Sequence, residues 1–320
     1  MGNATTRITA QDFVTPVQLA DYRLAANGAG RIGGLRLEIT GRPTRLAGCY
    51  QQVPLRVLSL GFGPAQPNLI YVLNPTAGLF DGDAQLVDIN VGAGSHVFVT
   101  GQSATRIHPC LKGFSTQQWR LSVAAGAIVV ILPGPALPFQ GCRYYQRAEV
   151  ELAEGAHLIW GDIWLPGRYA RDAESERFQF RTLVQDFAVR RAGRLMFREH
   201  FCWQGPWDAA TAAWHFSDAD AYGTLFTTVD TRDDTDARLG VNPALPLRHA
   251  SFRTAEKHTC LRWLGPAQAV IAALTRAALT LAAQAEGQSD PWLLATHELA
   301  PNHWFSSQDA CLRPPETGPP

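Results

Sequence analysis

Ile89-Asn-Val-Gly-Ala-Gly94-Ser-His-Val-Phe-Val99, Leu121-Ser-Val-Ala-Ala-Gly126-Ala-Ile-Val-Val-Ile131 and Val150-Glu-Leu-Ala-Glu-Gly155-Ala-His-Leu-Ile-Trp160 repeat one pattern: a strand, a tight turn on glycine, a second strand. The turn glycines recur roughly every 30 residues, a spacing typical of stacked supersecondary units. A looser fourth copy runs from Phe187 through Gly193 to Phe197. Period-2 alternation, β-branched residues and glycine turns dominate from about Gly33 to Phe201, with no helical periodicity of useful length. The pattern predicts a mainly β fold of stacked β-hairpins in layered, β-helix-like sheets, too irregular for a regular solenoid.

Beyond Phe201 the character changes. Trp203, Trp207 and Trp214 stand in an Ala-rich stretch, followed by the acidic run Asp230-Thr-Arg-Asp-Asp-Thr-Asp236, which reads as a solvated loop. Pro266 then suits a first helical turn, and Ala267, Val270, Ile271, Leu274, Ala278 and Leu281 follow at helical spacing up to Gly287. One amphipathic C-terminal helix is expected over 266–285. The remainder, rich in Pro, Ser and polar residues, predicts a flexible tail over 298–320. With an N-terminal arm at 1–30, this leaves a single domain at 31–297.

At 320 residues and 46% hydrophobic content the chain has ample material for a large core. Lys+Arg and Asp+Glu both number 28, so no net field draws nucleic acid or an anionic membrane to it. Cys49, Cys110, Cys142, Cys202, Cys260 and Cys311 are scattered singly, as thiols of a reducing compartment are. No basic segment leading into an apolar core opens the chain, and no apolar run reaches membrane-spanning length. The expectation is a soluble, cytoplasmic protein. Met1-Gly-Asn-Ala-Thr-Thr6 formally fits a myristoylation signal and an Asn-x-Thr acceptor, patterns short enough to arise by chance.

Asn74-Pro-Thr-Ala-Gly-Leu-Phe-Asp-Gly-Asp83 bends sharply on Gly78 and Gly82, with Asp81 and Asp83 flanking the second glycine. This is a tight turn or a built site. Asp162 lies in Leu158-Ile-Trp-Gly-Asp-Ile-Trp-Leu165, a strand apolar enough to be buried on both faces. A carboxylate there costs several kcal/mol unless paired, so a salt bridge to a core arginine such as Arg106 or Arg168 is expected. Glu199, in Leu195-Met-Phe-Arg-Glu-His-Phe201, calls for a cross-strand arginine in the same way. His108 and Cys110 could offer borderline-soft ligands to a divalent transition metal, although Pro109 between them breaks a regular strand. No other histidine is spaced as a His-x-x-x-His or Glu-x-x-His site, and no phosphate-binding loop, nucleophile elbow or dinucleotide fingerprint is present.

The glycine motif, followed after one strand by Thr100-Gly-Gln-Ser-Ala-Thr-Arg106, resembles the urease accessory protein UreD (UreH) family. That family reads roughly Asn-x-x-Gly-Gly-Leu-x-Gly-Gly-Asp, a strand, then Thr-x-x-x-Ala-x-Lys. Pro54-Leu-Arg-Val-Leu58, Leu137-Pro-Phe-Gln-Gly-Cys-Arg-Tyr-Tyr-Gln146, Gly167-Arg168 with Glu176-Arg-Phe178, and Arg262-Trp-Leu-Gly265 match its further segments in order. The likeness runs from about Gly33 to about Thr296. It implies a layered β architecture and a non-enzymatic scaffold and metallochaperone. Such a scaffold binds apo-urease and a UreF-like helical partner, receives nickel through it from a UreG-like GTPase, and carries Ni²⁺ as cargo with no resident cofactor.

The resemblance also implies that Asp83, Asp162 and Glu199 mark a transient nickel path with Arg106 as a lining residue. Such a path needs weak, multiple sites. The chain departs from the family at Arg106, where Lys is usual, at Asp81, where a small residue is usual, and at His108-Pro-Cys110. The alternative reading is a β-helix-like carbohydrate hydrolase or lyase using Asp81, Asp83 and Asp162 as acid, base or Ca²⁺ ligands.

Overall fold

Gln85, Gln117, Gln146 and Gln185 each begin an inward-facing stripe that continues with apolar residues, as in Val87, Ile89 and Val91 after Gln85. The computed structural model describes residues 6–24, 30–61, 67–168, 176–231 and 247–287. Its strands are β1 Ile32–Thr40, β2 Arg45–Gln52, β3 Arg56–Gly61, β4 Asn68–Leu73, β5 Ala84–Val91, β6 His96–Gly101, β7 Thr105–Ile107, β8 Ser115–Val123 and β9 Ile128–Leu132. They continue as β10 Pro135–Pro138, β11 Arg143–Leu152, β12 His157–Trp164, β13 Thr182–Arg191, β14 Arg194–Gln204, β15 Ala221–Thr227, β16 Arg248–Arg253 and β17 Thr259–Gly265. Helices α1, Ala209–Phe216, and α2, Ala267–Glu286, complete the described elements.

Two sheets face one another. The first has the order β14-β13-β11-β8-β5-β1-β2, the second β16-β17-β15-β12-β9-β6-β4-β3. The mainly β, layered, β-helix-like architecture is as expected, but the first three glycine turns do not close hairpins. β5, β8 and β11 run parallel in the first sheet, while the strands that follow them, β6, β9 and β12, run parallel in the second. Each turn therefore passes the chain from one sheet to the other. Alternation reports which face of a strand is buried, not which strand it pairs with, and the strands flanking these three turns pair one coil away. The fourth copy does form an antiparallel hairpin, β13 with β14, from Thr182↔Gln204 to Arg191↔Arg194.

Between the sheets lies a core of Val87, Ile89, Val91, Trp119, Leu121, Val123, Val150, Leu152, Phe187 and Val189, meeting Val97, Val99, Val129, Ile131, Leu158 and Trp160 from the second sheet. Helix α2 covers the outer face of the second sheet. Its buried stripe includes Ala267, Val270, Ile271, Leu274, Ala278 and Leu281, as the helical spacing predicted, and its larger side chains each contribute roughly 1.5–3 kcal/mol of burial. The close approach requires Gly161: a Cβ there would lie 2.8 Å from Leu274 Cδ2. By length and composition α2 could cross a membrane, yet 67% of its most apolar stretch is buried against the sheet. It stops at Gly287, whose left-handed φ of 70° suits glycine.

The described part of the N-terminal arm, 6–24, packs on the outer face of the first sheet. Ile8, Phe13 and Leu19 are buried, and Val14 exchanges hydrogen bonds with the Gln118 side chain. Helix α1, capped by Asp208 Oδ1 on the Thr211 amide at 2.7 Å, is an element that the aromatic-rich sequence around it conceals. Residues 232–236 of the acidic run and the tail at 298–320 lie outside the described residues.

Candidate functional site

The most unusual feature of the core is a buried row of amides. Gln85 on β5, Gln117 on β8, Gln146 on β11 and Gln185 on β13 stand in register on four parallel neighbours, and all four are buried. Gln117 Nε2 donates to Gln85 Oε1 at 3.2 Å, and Gln117 Oε1 accepts from the Trp119 indole at 3.3 Å. Gln85 and Gln117 also border a small cavity of about 30 Å³ whose other walls include Asn74, Gly78 and Arg106. Arg106, from β7, thus lines one end of the row.

Asp162 meets the other end. It reaches from β12 of the second sheet toward the first, and its carboxylate takes three hydrogen bonds, all from uncharged donors. Gln146 Nε2 donates to Oδ1 at 2.6 Å, while Trp160 Nε1 and Gln185 Nε2 donate to Oδ2 at 2.7 and 2.9 Å. The expected salt bridge to Arg106 or Arg168 is not formed. Arg168 engages Glu176 at 2.8 Å and lies over the Phe139 ring, and Arg106 borders the cavity at the far end of the glutamine row. Strand register places two glutamines, not a cation, opposite the carboxylate. Burial pushes the Asp162 pKa up to about 6, with repulsion from Glu199 adding to it and the hydrogen bonds holding it down.

Glu199 continues the polar seam. Asp162 is in register with Thr224, and Thr224 with Arg262, across three strands of the second sheet. From β14 of the first sheet, Glu199 accepts from Arg262 Nη2 at 2.7 Å and from Thr224 Oγ1 at 3.4 Å. The arginine partner is as expected, but it comes from the opposite sheet. Glu199 and Arg262 open into a surface cleft of about 510 Å³ walled by Phe201, Trp203, Tyr222 and Phe252. Burial raises the Glu199 pKa and Arg262 opposes the rise. Arg262→Met is expected to cost about 1–2 kcal/mol near pH 7.5, less than a fully buried pair because the Arg262 side chain is 40% exposed. The loss should shrink as the pH falls and Glu199 takes up a proton, which denaturant titrations at pH 7.5 and pH 5 would read.

Asp83 and Asp81 are held elsewhere. Asp83 Oδ1 accepts from the Arg31 amide at 2.7 Å and Oδ2 from the Phe80 amide at 2.9 Å, so it ties the motif to the start of β1. Burial raises its pKa against those two amides. Asp81 accepts from the consecutive amides of Leu111, Lys112 and Gly113 at 3.0, 2.9 and 2.8 Å. The three carboxylates of the hydrolase reading therefore face three separate sets of partners. His108 stacks on Phe80 and its Nε2 lies 3.0 Å from the Ala77 carbonyl. Cys110 is buried, its thiol donating to the Arg143 carbonyl at 3.4 Å and raised to a pKa of about 11 by burial. The structure turns these two side chains to different partners.

Of the residues singled out from sequence, Asp162 and Glu199 come together in the seam, Arg106 lines its far end, and Asp83 serves the turn. Sequence reasoning missed the glutamines. Their signal is present: Gln85, Gln117 and Gln146 each stand nine residues before the turn glycines Gly94, Gly126 and Gly155.

A family model described as UreD urease accessory protein matches residues 31–295. Urease accessory protein UreD 2 of Streptomyces griseus is 35% identical over 173 residues, 52% of this chain and 58% of that protein. UreD 3 of Methylorubrum populi is 34% identical over 183 residues, 55% and 58% of the two chains. Urease accessory protein UreD of Haloarcula marismortui is 31% identical over 217 residues, 66% and 71% of the two chains. The chain thus spans less than two thirds of the first two of these relatives.

Proposed function

The chain belongs to the UreD urease accessory protein family, and from that premise we propose that it is a non-enzymatic scaffold that passes Ni²⁺ to apo-urease during urease maturation. The observation that carries this reading is the buried polar seam. A globular core has no structural need for four buried glutamines in register with a buried carboxylate of the facing sheet hydrogen-bonded to two of them, since polar burial without gain is costly. Donors of this kind, spaced from the cavity at Arg106 to the cleft at Glu199, suit a hydrated divalent ion held weakly at successive points.

The partners in this reading are a UreF-like helical accessory protein, a UreG-like GTPase acting through it, and the apo-urease subunits. The aromatic cleft beside Glu199 and the 86% exposed Trp214 on the adjoining helix α1 support a protein contact there. Cys49, Cys110, Cys142, Cys202 and Cys260 are free thiols, which fits a cytoplasmic setting. Reconstitution tests the proposal: apo-urease, nickel, GTP and the two accessory partners should yield active urease only when this chain is added. Equal activation without it would overturn the reading.

Turnover by the chain itself is not expected, because Asp81 and Asp83 are engaged by backbone amides and Asp162 is enclosed. A screen of the purified protein against ester, glycoside and nucleotide substrates checks this. Turnover abolished by Asp162→Asn would favour the hydrolase.

A further inference from the structure

Gln185 is 2% exposed, donates its Nε2 to Asp162 Oδ2, and among the described residues its Oε1 has no hydrogen-bond partner. An amide so deeply buried is ordinarily satisfied at both ends. Reversing it about its last torsion would bring the oxygen to face the carboxylate, an arrangement unfavourable alone and favourable around a cation. Gln146 Nε2, on Oδ1, stands in the same relation to Asp162 from the adjacent strand, and the two glutamines are in register.

We propose that Gln146 and Gln185 form a reversible amide clamp on Asp162, presenting their NH₂ groups to the carboxylate when the seam is empty and their carbonyl oxygens when a divalent cation enters. The inference rests on the seam being a cation path and adds the residues that admit the ion there. In the empty state two amide donors and the Trp160 indole stabilise the carboxylate without a fixed cation that would repel the incoming one. In the occupied state a carboxylate and two amide oxygens make an all-oxygen site. Such a site holds Ni²⁺ more weakly than imidazole or thiolate ligands do, so the ion is received and released. Glu199, close enough to act electrostatically on Asp162, is the next negative group along the seam.

The test uses the full chain, with its tryptophans replaced biosynthetically by 5-fluorotryptophan, titrated with NiCl₂. The Trp160 resonance is identified by its loss in Trp160→Phe, and paramagnetic broadening of that resonance reports arrival of the ion. Gln185→Leu, which offers neither donor nor oxygen, should raise the nickel concentration for half-broadening at least tenfold. Gln185→Glu, close in shape, keeps oxygen ligands for a cation while removing the amide donor, and should match or improve on the native protein. Equal weakening in both variants would mean that Gln185 merely pins Asp162 as a donor and would overturn the clamp. Native behaviour in both would overturn it as well, leaving the cation path intact. Absence of broadening in the native protein would remove the path itself, and the clamp with it.

Discussion

Asp162→Asn is expected to stabilise the isolated protein near pH 7.5, by as much as roughly 3 kcal/mol, although it removes a charge buried in the core. The carboxylate is enclosed, and its pKa of about 6 lies above the ordinary value near 4, so the folded state binds the proton more tightly than the unfolded chain. For a carboxyl shifted upward, the contribution to stability is fullest below the unfolded pKa and is lost as the pH rises through the folded one. About two pKa units correspond to roughly 3 kcal/mol lost between about pH 4 and pH 6. Asparagine carries no charge and can accept from the Trp160 indole, while its NH₂ needs one neighbouring glutamine to reverse. The variant should therefore exceed the native protein at pH 7.5 and converge with it near pH 4, as read by denaturant melts across that range. A marked loss of stability at pH 7.5 would mean that a cation compensates the charge after all.

Gly78→Ala should have the largest effect of opposite sign, about 3 kcal/mol or more of lost stability, where Gly94→Ala should cost only about 1 kcal/mol. Both glycines have positive φ, 135° and 65°, so conformational preference alone disfavours both changes. Their surroundings separate them. A Cβ on Gly78 would lie 2.3 Å from the Arg106 carbonyl oxygen, which accepts from the Leu79 amide at 2.8 Å, whereas a Cβ on Gly94 meets nothing within 4 Å. Backbone against backbone cannot yield as a side chain can, so the Leu79–Ile107 bridge beside the cavity must open. Comparison of the two variants by chemical denaturation checks this. Equal losses would show that turn geometry, not the contact with Arg106, governs the motif.

The coil pattern was legible in the sequence because every coil repeats the same inward stripe and the same turn glycine, Gly94, Gly126 and Gly155. What escaped was the pairing. Nothing within ten residues of Gly126 reports that β8 hydrogen-bonds to β5 and β11 while β9 joins the opposite sheet. Asp162 was legible as an anomaly, since one carboxylate in Leu158 to Leu165 contradicts its surroundings. Its partners were not, because Gln146 and Gln185 become neighbours only through register between distant strands and across two sheets. Asp83 was legible only as a choice between two readings, because a turn and a lining position have the same local sequence, and the structure adds the amides of Arg31 and Phe80 that hold it. The family pattern made Glu199 a candidate, and the structure adds the Arg262 contact from the opposite sheet.

The central claim is that the charge of Asp162 serves cation passage and not the fold. Its most direct test is the nickel content of urease after reconstitution with the accessory partners and either the native chain or Asp162→Asn, at pH 7.5 and with partner binding measured in parallel. The account predicts that the variant binds its partners normally, melts no lower than the native protein, and loads urease with nickel at least tenfold more slowly. Native loading rates by a well-folded Asp162→Asn would contradict it.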